Sequence, residues 1–286
     1  MTTALRSALL ERRSLIEAQH GALLAGSVRD RVVALAIGAA AIGVYVFGMV
    51  VLDISPLAIA HGLGRLGDIA LLMLPPSPGS WRYFVIYSGA LAQTLAIALL
   101  GTLVAAVLAF PLGFLAAKNV VANRVLHFLA RRSLDTVRSI DTLIWALIWV
   151  NVVGLGPFAG LLAIASTDFA ALGKLVSEAI ETARRQPVQG VLAAGGSRLH
   201  AIRFGIIPQV LPVFLSQVLY FFESNTRSAT IVGVVGGGGV GLYLYEEIRV
   251  LEWQRAAFLI LMVLIAVAII DAVSRRLRGA IIGRLA

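Results

Sequence analysis

The chain has 286 residues, of which 59% are apolar and only 14% charged, with a mean hydropathy of +0.91. A soluble globule needs roughly 25% charged residues to cover its surface, so this composition excludes one and places the chain in a bilayer. The net charge of +9 fits basic cytoplasmic loops better than a nucleic-acid partner. With no cysteine there can be no disulfide framework, thiolate metal site or thiol nucleophile, and four scattered histidines argue against a metal site.

Residues 1–31 carry Glu11, Glu17 and Asp30 among their arginines and show no small-residue cleavage signal, so they are not a cleavable signal peptide. Leu5, Leu9, Arg12, Arg13 and Ile16 have roughly helical spacing, which fits either a basic amphipathic helix on the inner leaflet or a solvated tail. A spanning helix needs about 20 mainly apolar residues. The first such run is Val32 to Leu52. Asp53 to Arg82 contains Pro75, Pro76 and Pro78 and reads as an outer loop with one short helix. A second span runs from about Ile86 to Ala117, interrupted by Pro111.

Ile140 to Ile164 is almost continuously apolar but is punctuated by Leu155-Gly156-Pro157. Proline cannot donate the next helical hydrogen bond, so the spacing predicts two short spans, about Ile140 to Val153 and Phe158 to Val176. One long helix kinked at Pro157 is the alternative. Phe204 to Phe222, with Pro208 and Pro212, and Ala256 to Ala272, followed by Arg275, Arg276 and Arg278, complete six spans. Trp81, Tyr83, Tyr243, Tyr245 and Trp253 fall near the outer boundaries as interfacial belt residues. With the N-terminus inside, every lysine and arginine except Arg65, Arg82, Arg227, Arg249 and Arg255 falls on the cytoplasmic side. That asymmetry supports six spans with both termini cytoplasmic in a multi-pass inner-membrane protein.

Two nucleotide-binding signatures fail. The Gly-Lys pair Gly173-Lys174 is followed by Leu175 where a phosphate-cradling loop needs Ser or Thr, so this chain should not hydrolyse ATP by itself. Gly236 to Gly241 match a dinucleotide fingerprint only because they are a glycine run, without a strand-helix-strand context. An enzyme acting through Asp168 or Glu223 lacks an accompanying nucleophile or metal constellation.

The loop after the fourth span, Gln189-Gly190-Val191-Leu192-Ala193-Ala194-Gly195-Gly196-Ser197-Arg198-Leu199-His200, predicts a short helix, a glycine turn and the start of another helix. Pro208 follows at the start of the next span, where a missing donor costs little. Such an elbow suits docking to a soluble partner, and a merely solvated loop is the alternative. Beyond the fifth span come Glu223-Ser224-Asn225-Thr226-Arg227-Ser228-Ala229-Thr230 and a segment with Gly236, Gly237, Gly238, Gly239 and Gly241. Glu223 and Arg227, at i,i+4 and near the outer boundary, read as a structural ion pair or as part of a path. In the path reading Asn225, Arg227, Ser228 and Thr230 offer donors to a moving anion, and the glycines form a gate or hinge. Among the acids in or beside spans, Asp141, Asp168 and Asp271, Asp168 should bond across helices or face a water-filled cavity, and Asp271 should pair with Arg275.

Taken together, these segments resemble the integral membrane permease of phosphonate-type ABC importers. Permeases of this class carry a cytoplasmic Glu-Ala-Ala signature with a glycine six positions after the Glu and a Pro-terminated end. The matching positions are Gln189-Gly190-Val191, Gly195 and Ile207-Pro208, with Gln189 where the glutamate stands, so the usual charged contact is not carried over. The phosphonate branch is suggested by Gly154-Leu155-Gly156-Pro157-Phe158-Ala159-Gly160, by Gly205-Ile206-Ile207-Pro208-Gln209-Val210 and by the Glu223 to Thr230 run.

The likeness covers about residues 88–278, within a permease domain of residues 32–286 that follows the N-terminal segment of residues 1–31. It implies an all-α integral membrane fold with six transmembrane helices, of the type I ABC importer (MetI-like) kind. The chain would be a non-catalytic subunit that binds no cofactor, with ATP and Mg on a partner. The implied partners are a second permease copy, two ABC ATPase subunits and an extracytoplasmic phosphonate-binding protein. The implied coupling residues are Gln189, Gly190, Ala194, Gly195, Gly196, Ser197 and Pro208. The implied cargo is phosphonate, phosphate or phosphite; a different small solute, or an ATP-independent secondary transporter, is the alternative.

Overall fold

The computed structural model describes residues 28–282, apart from residues 54 and 122. All regular structure among these residues is helical. Residues up to Asp68 form one compact unit and those from Ile69 onward another. The first unit holds α1 (Val28–Val51) and most of α2 (Pro56–Leu72), the short helix expected in the outer loop. Within α1, Arg31–Val51 is long and apolar enough to cross a membrane. The basic pattern read in the N-terminal segment falls almost wholly on residues 1–27, outside the described residues.

The second unit begins with α3 (Trp81–Leu115), whose 35 residues run straight through Pro111. It packs in parallel against α6 (Pro157–Thr182), because both helices present glycine and alanine along the shared seam. A Cβ on Gly101 would lie 2.9 Å from Ile164, and one on Gly113 would overlap the Val176 side chain. Small residues let the backbones close to van der Waals distance, which is the main packing force between helices in lipid.

Between these two helices the chain makes α4 (Arg124–Arg138) and α5 (Thr142–Val153), bent by 90° at the break. α4 is amphipathic: Leu134 is buried against α6, while Arg124, Arg132 and Arg138 are exposed. Lys174 donates to Asp135 at 2.5 Å and Arg131 pairs with Glu181 at 2.9 Å, pinning α4 to the end of α6. The ammonium of Lys174 holds the Asp135 carboxyl below its ordinary range.

The short third span expected at about Ile140 to Val153 is present as α5. Its 12 residues are about 18 Å long against a hydrocarbon thickness of about 30 Å, since the preceding residues turn aside into the charged α4. The split at Leu155-Gly156-Pro157 is present: Gly154 (φ 89°) and Gly156 (φ 141°) take dihedrals closed to other residues, and Pro157 opens α6. α5 then runs back along α6, with Trp149 Nε1 donating to Ser166 Oγ at 3.0 Å.

After α6 come α7 (Arg185–Ala193), the short α8 (Arg198–Ala201) and a π-turn (Ile202–Ile206) that leads into α9 (Ile207–Val232). A second wide turn (Gly233–Gly237), α10 (Val240–Arg249) and α11 (Trp253–Ile282) complete the chain. The described residues thus hold five helices long and apolar enough to cross a membrane, with the bent α4–α5 pair as a sixth candidate.

Candidate functional site

The expected elbow exists as a helix, a glycine turn and a second helix. Ala194, Gly195 and Gly196 close it by donating to the carbonyls of Gly190, Leu192 and Val191 at 3.0–3.1 Å. Gly195 sits at φ 83° with open space around it, whereas a Cβ on Gly196 would lie 2.7 Å from the Val191 oxygen. Ser197 then caps α8: its Oγ accepts from the His200 amide, and its amide donates to His200 Nδ1 at 3.3 Å. Gln189 and Gly190 lie on the exposed face of α7.

The elbow is keyed to the bundle by a residue the spacing argument passed over. Gln209, next to Pro208 in the first turn of α9, accepts from the Arg184 amide at 3.0 Å and donates to the Arg184 carbonyl at 3.2 Å. Gly205 lies so close to Val188 that a Cβ would meet its Cα at 3.0 Å. Both contacts tie the start of α7 to the first turn of α9 and the turn before it. Leu199, 77% exposed, and the exposed Leu192 and Phe204 leave apolar surface facing outward on the elbow.

Deeper in the bundle Asn225 turns inward. Its Nδ2 donates to Asp168 and to Thr102 Oγ1, the latter at 2.8 Å, while Thr102 donates to Asp168 at 3.2 Å. This buried knot ties α3, α6 and α9 together, so Asp168 bonds across helices, one of the two arrangements expected of it. Thr102 was not legible in the sequence, since a lone threonine in an apolar run carries no spacing signal.

Glu223 does pair with Arg227, at 3.9 Å, but its firmer partner is Arg278 of α11 at 2.9 Å. The helix of the fifth span does not end at Phe222 but continues to Val232, so Glu223 and Arg227 both lie within α9. The carboxylate is thus bonded to the basic end of α11, where Asp271 and Arg275 form the expected ion pair. Ser228 and Thr230 donate to carbonyls one turn back on α9, those of Ser224 and Thr226.

The glycine segment is packed backbone to backbone. Gly236 (φ 100°), Gly238 (φ 77°) and Gly239 (φ 76°) turn the chain, and the Gly236 carbonyl accepts from the Gly156 amide at 2.9 Å. Gly239 donates to Gln93 Oε1 at 2.9 Å and Val240 to Thr94 Oγ1 at 2.8 Å, so α3 receives the amides this turn leaves unpaired. A Cβ on Gly160 would lie 2.5 Å from the Gly237 oxygen, and one on Gly241 would overlap the Thr230 carbonyl. Beyond it Tyr87 donates to Glu247 at 2.7 Å, and Arg255 lies 4.5 Å from the Tyr83 ring centroid. Among the described residues no group of three or more His, Asp or Glu is placed to hold a metal ion.

The site thus comprises an outward elbow, a helix hydrogen-bonded to it at one end, a buried polar knot and a glycine turn. The chain is 39% identical over 217 residues to a putative phosphite transport system permease protein from Stutzerimonas stutzeri, covering 76% of each chain. It is 33% identical to a phosphate-import permease from Mycolicibacterium smegmatis, covering 89% of this chain and 48% of that one. A phosphite transport system permease protein of Stutzerimonas stutzeri is 32% identical, over 82% of this chain and 86% of the relative. Among solved structures, the MetNI methionine ABC transporter in inward-facing conformations matches with a TM-score of 0.62 at 18% identity, over 71% of this chain and 99% of that one. An amino acid ABC transporter matches with a TM-score of 0.55 at 16% identity, over 70% and 98%. These structural likenesses establish the type I importer permease fold. The profile of one family matches residues 109–285, and the chain belongs to that family, the binding-protein-dependent transport system inner membrane components.

Proposed function

We propose that the chain is the membrane subunit of an ATP-driven importer that carries a phosphorus oxyanion, either phosphonate, phosphite or phosphate, into the cytoplasm. The substrate class rests on the relatives named as phosphite and phosphate permeases. Two copies form the path, two ATPase subunits bind ATP and Mg, and an extracytoplasmic protein delivers the anion. Both termini are cytoplasmic, which accords with the distribution of basic residues.

The observation that carries the coupling is the elbow itself. Its exposed Leu199 offers an apolar contact to a soluble subunit, and Gln209 fixes its other side to α9. In this reading ATP binding draws the two ATPase subunits together, each elbow follows its subunit, and α9 and α6 rock as rigid bodies. The Thr102–Asp168–Asn225 knot makes α3, α6 and α9 move as one, so displacement at the cytoplasmic end reaches the glycine turn packed on Gly156 and Gly160. Alternating access is then an exchange between two packed arrangements.

The test is purification of the tagged chain from its native membrane. An ATPase subunit that co-elutes, and is lost when Leu199 is replaced by Asp, supports the reading; a chain that elutes without one and transports on an ion gradient overturns it.

A further inference from the structure

Resting on the oxyanion reading above, one residue stands out as a charge contact for the cargo. Glu223 is buried and its Oε2 is taken by Arg278 at 2.9 Å, leaving Arg227 a single long approach to Oε1 at 3.9 Å. Three charged groups thus carry a net +1, and the surplus sits on Arg227, whose side chain is 52% exposed. A charge without a full partner persists where it faces water or a ligand.

The surroundings of Arg227 indicate which. Val213, Gln217, Tyr220, Ser224, Arg227 and Ile231 follow one another at helical spacing along one side of α9, with Val213, Tyr220, Arg227 and Ile231 exposed and Gln217 and Ser224 half-buried. The open side of α3 is Leu99, Leu100, Leu103, Val104, Val107 and Leu108, and that of α11 is similarly aliphatic. Those faces suit acyl chains. A face bearing glutamine, tyrosine, serine and arginine does not, and it suits a water-filled path between two copies of the chain.

We propose that Arg227 is the cationic contact for the transported anion on this path, contributed once by each copy, with Glu223 as its resting counter-charge. Because Arg278 already neutralises Glu223, the anion can draw Arg227 away without stranding a buried carboxylate, and Glu223 recaptures the guanidinium once the anion has left. The flat guanidinium can present two N–H donors to two oxygens of one phosphorus group, and Ser224 and Tyr220 lie one to two turns away on the same face. The ligand class is a tetrahedral oxyanion with one or two negative charges.

The experiment uses the whole transporter, the chain with its ATPase and binding protein, in vesicles loaded with ATP on the ATPase side. Uptake of labelled phosphite, methylphosphonate and inorganic phosphate is read per ATP hydrolysed. Arg227→Gln should lower uptake at least about tenfold, while Arg227→Lys, which keeps the charge, should stay within about threefold of the unaltered protein. The assembled complex should keep its Tm in both, as the pair to Glu223 is long and half exposed. Equal uptake by Arg227→Gln overturns the assignment, and so does a Gln variant that no longer assembles, which would make Arg227 an interface residue. If the unaltered transporter moves none of the three anions, the oxyanion reading itself fails, an outcome distinct from the other two.

Discussion

Gly195 separates backbone conformation from packing, since it sits at φ 83° and an added Cβ would meet nothing within 4 Å. Replacing it by alanine therefore imposes a dihedral cost alone, about 1–2 kcal/mol for an L-residue held in the left-handed region. Asparagine visits that region more readily and should cost less, whereas proline, with φ near −65°, cannot close the turn. A local cost of 1–2 kcal/mol changes the population of the native turn by a factor of about 5–30. The elbow is exposed and contributes no core, so this loss should appear in coupling rather than in global stability. Measured as anions imported per ATP hydrolysed in reconstituted vesicles, the order should be Gly, then Asn, then Ala, then Pro, with Tm nearly unchanged through the first three. An order that followed side-chain size, or an alanine variant coupled as well as the unaltered chain, would refute the reasoning.

Gly160→Ala places a Cβ 2.5 Å from the Gly237 oxygen, where both partners are backbone, and should cost about 1–3 kcal/mol, or a Tm loss of about 3–10 °C in detergent. Gly89→Ala, in the same class of helix with nothing within 4 Å, should hold or raise Tm, and equal effects would show that the contact is not tight. Asn225→Leu strips Asp168 of a donor and should cost about 1–3 kcal/mol, while adding Asp168→Leu should recover part of that loss in a double-mutant cycle; strict additivity would deny the knot. Asp135 titrates below its unfolded value, so its tie to Lys174 stabilises α4 above the ordinary carboxylate range and is lost as pH falls through the lowered value. The Tm gap between the unaltered chain and Asp135→Asn should hold from neutral pH down to about pH 5 and close below about pH 4; a gap that closes near neutrality would reject that pairing.

Most of the fold is legible because lipid leaves few choices: apolar length marks spans, and glycine beside proline marks their ends. The break at Gly156-Pro157 and the elbow at Gly195 are of this local kind. The amphipathic α4 and its 90° bend into α5 were less so, since hydropathy marks an apolar run and not the direction of the helix before it. The true end of α9 was hidden for a related reason. Glu223, Asn225 and Arg227 look like the edge of a span, yet each is accommodated inside the helix by a distant partner or an open face. Arg278, Thr102 and Gln209 make the contacts that organise the site, and none announces itself, because their partners lie 55, 123 and 25 residues away. Long-range pairing of single polar residues is set by helix packing, which composition and periodicity do not encode.

The most direct test of the account is ATP-driven uptake by the chain reconstituted with its ATPase and binding protein. The account predicts inward movement of phosphite, phosphonate or phosphate that needs ATP and the loaded binding protein, and that fails when Gly195 is replaced by proline. Uptake that proceeds on an ion gradient without ATP, or ATP-driven uptake indifferent to the elbow, would contradict it.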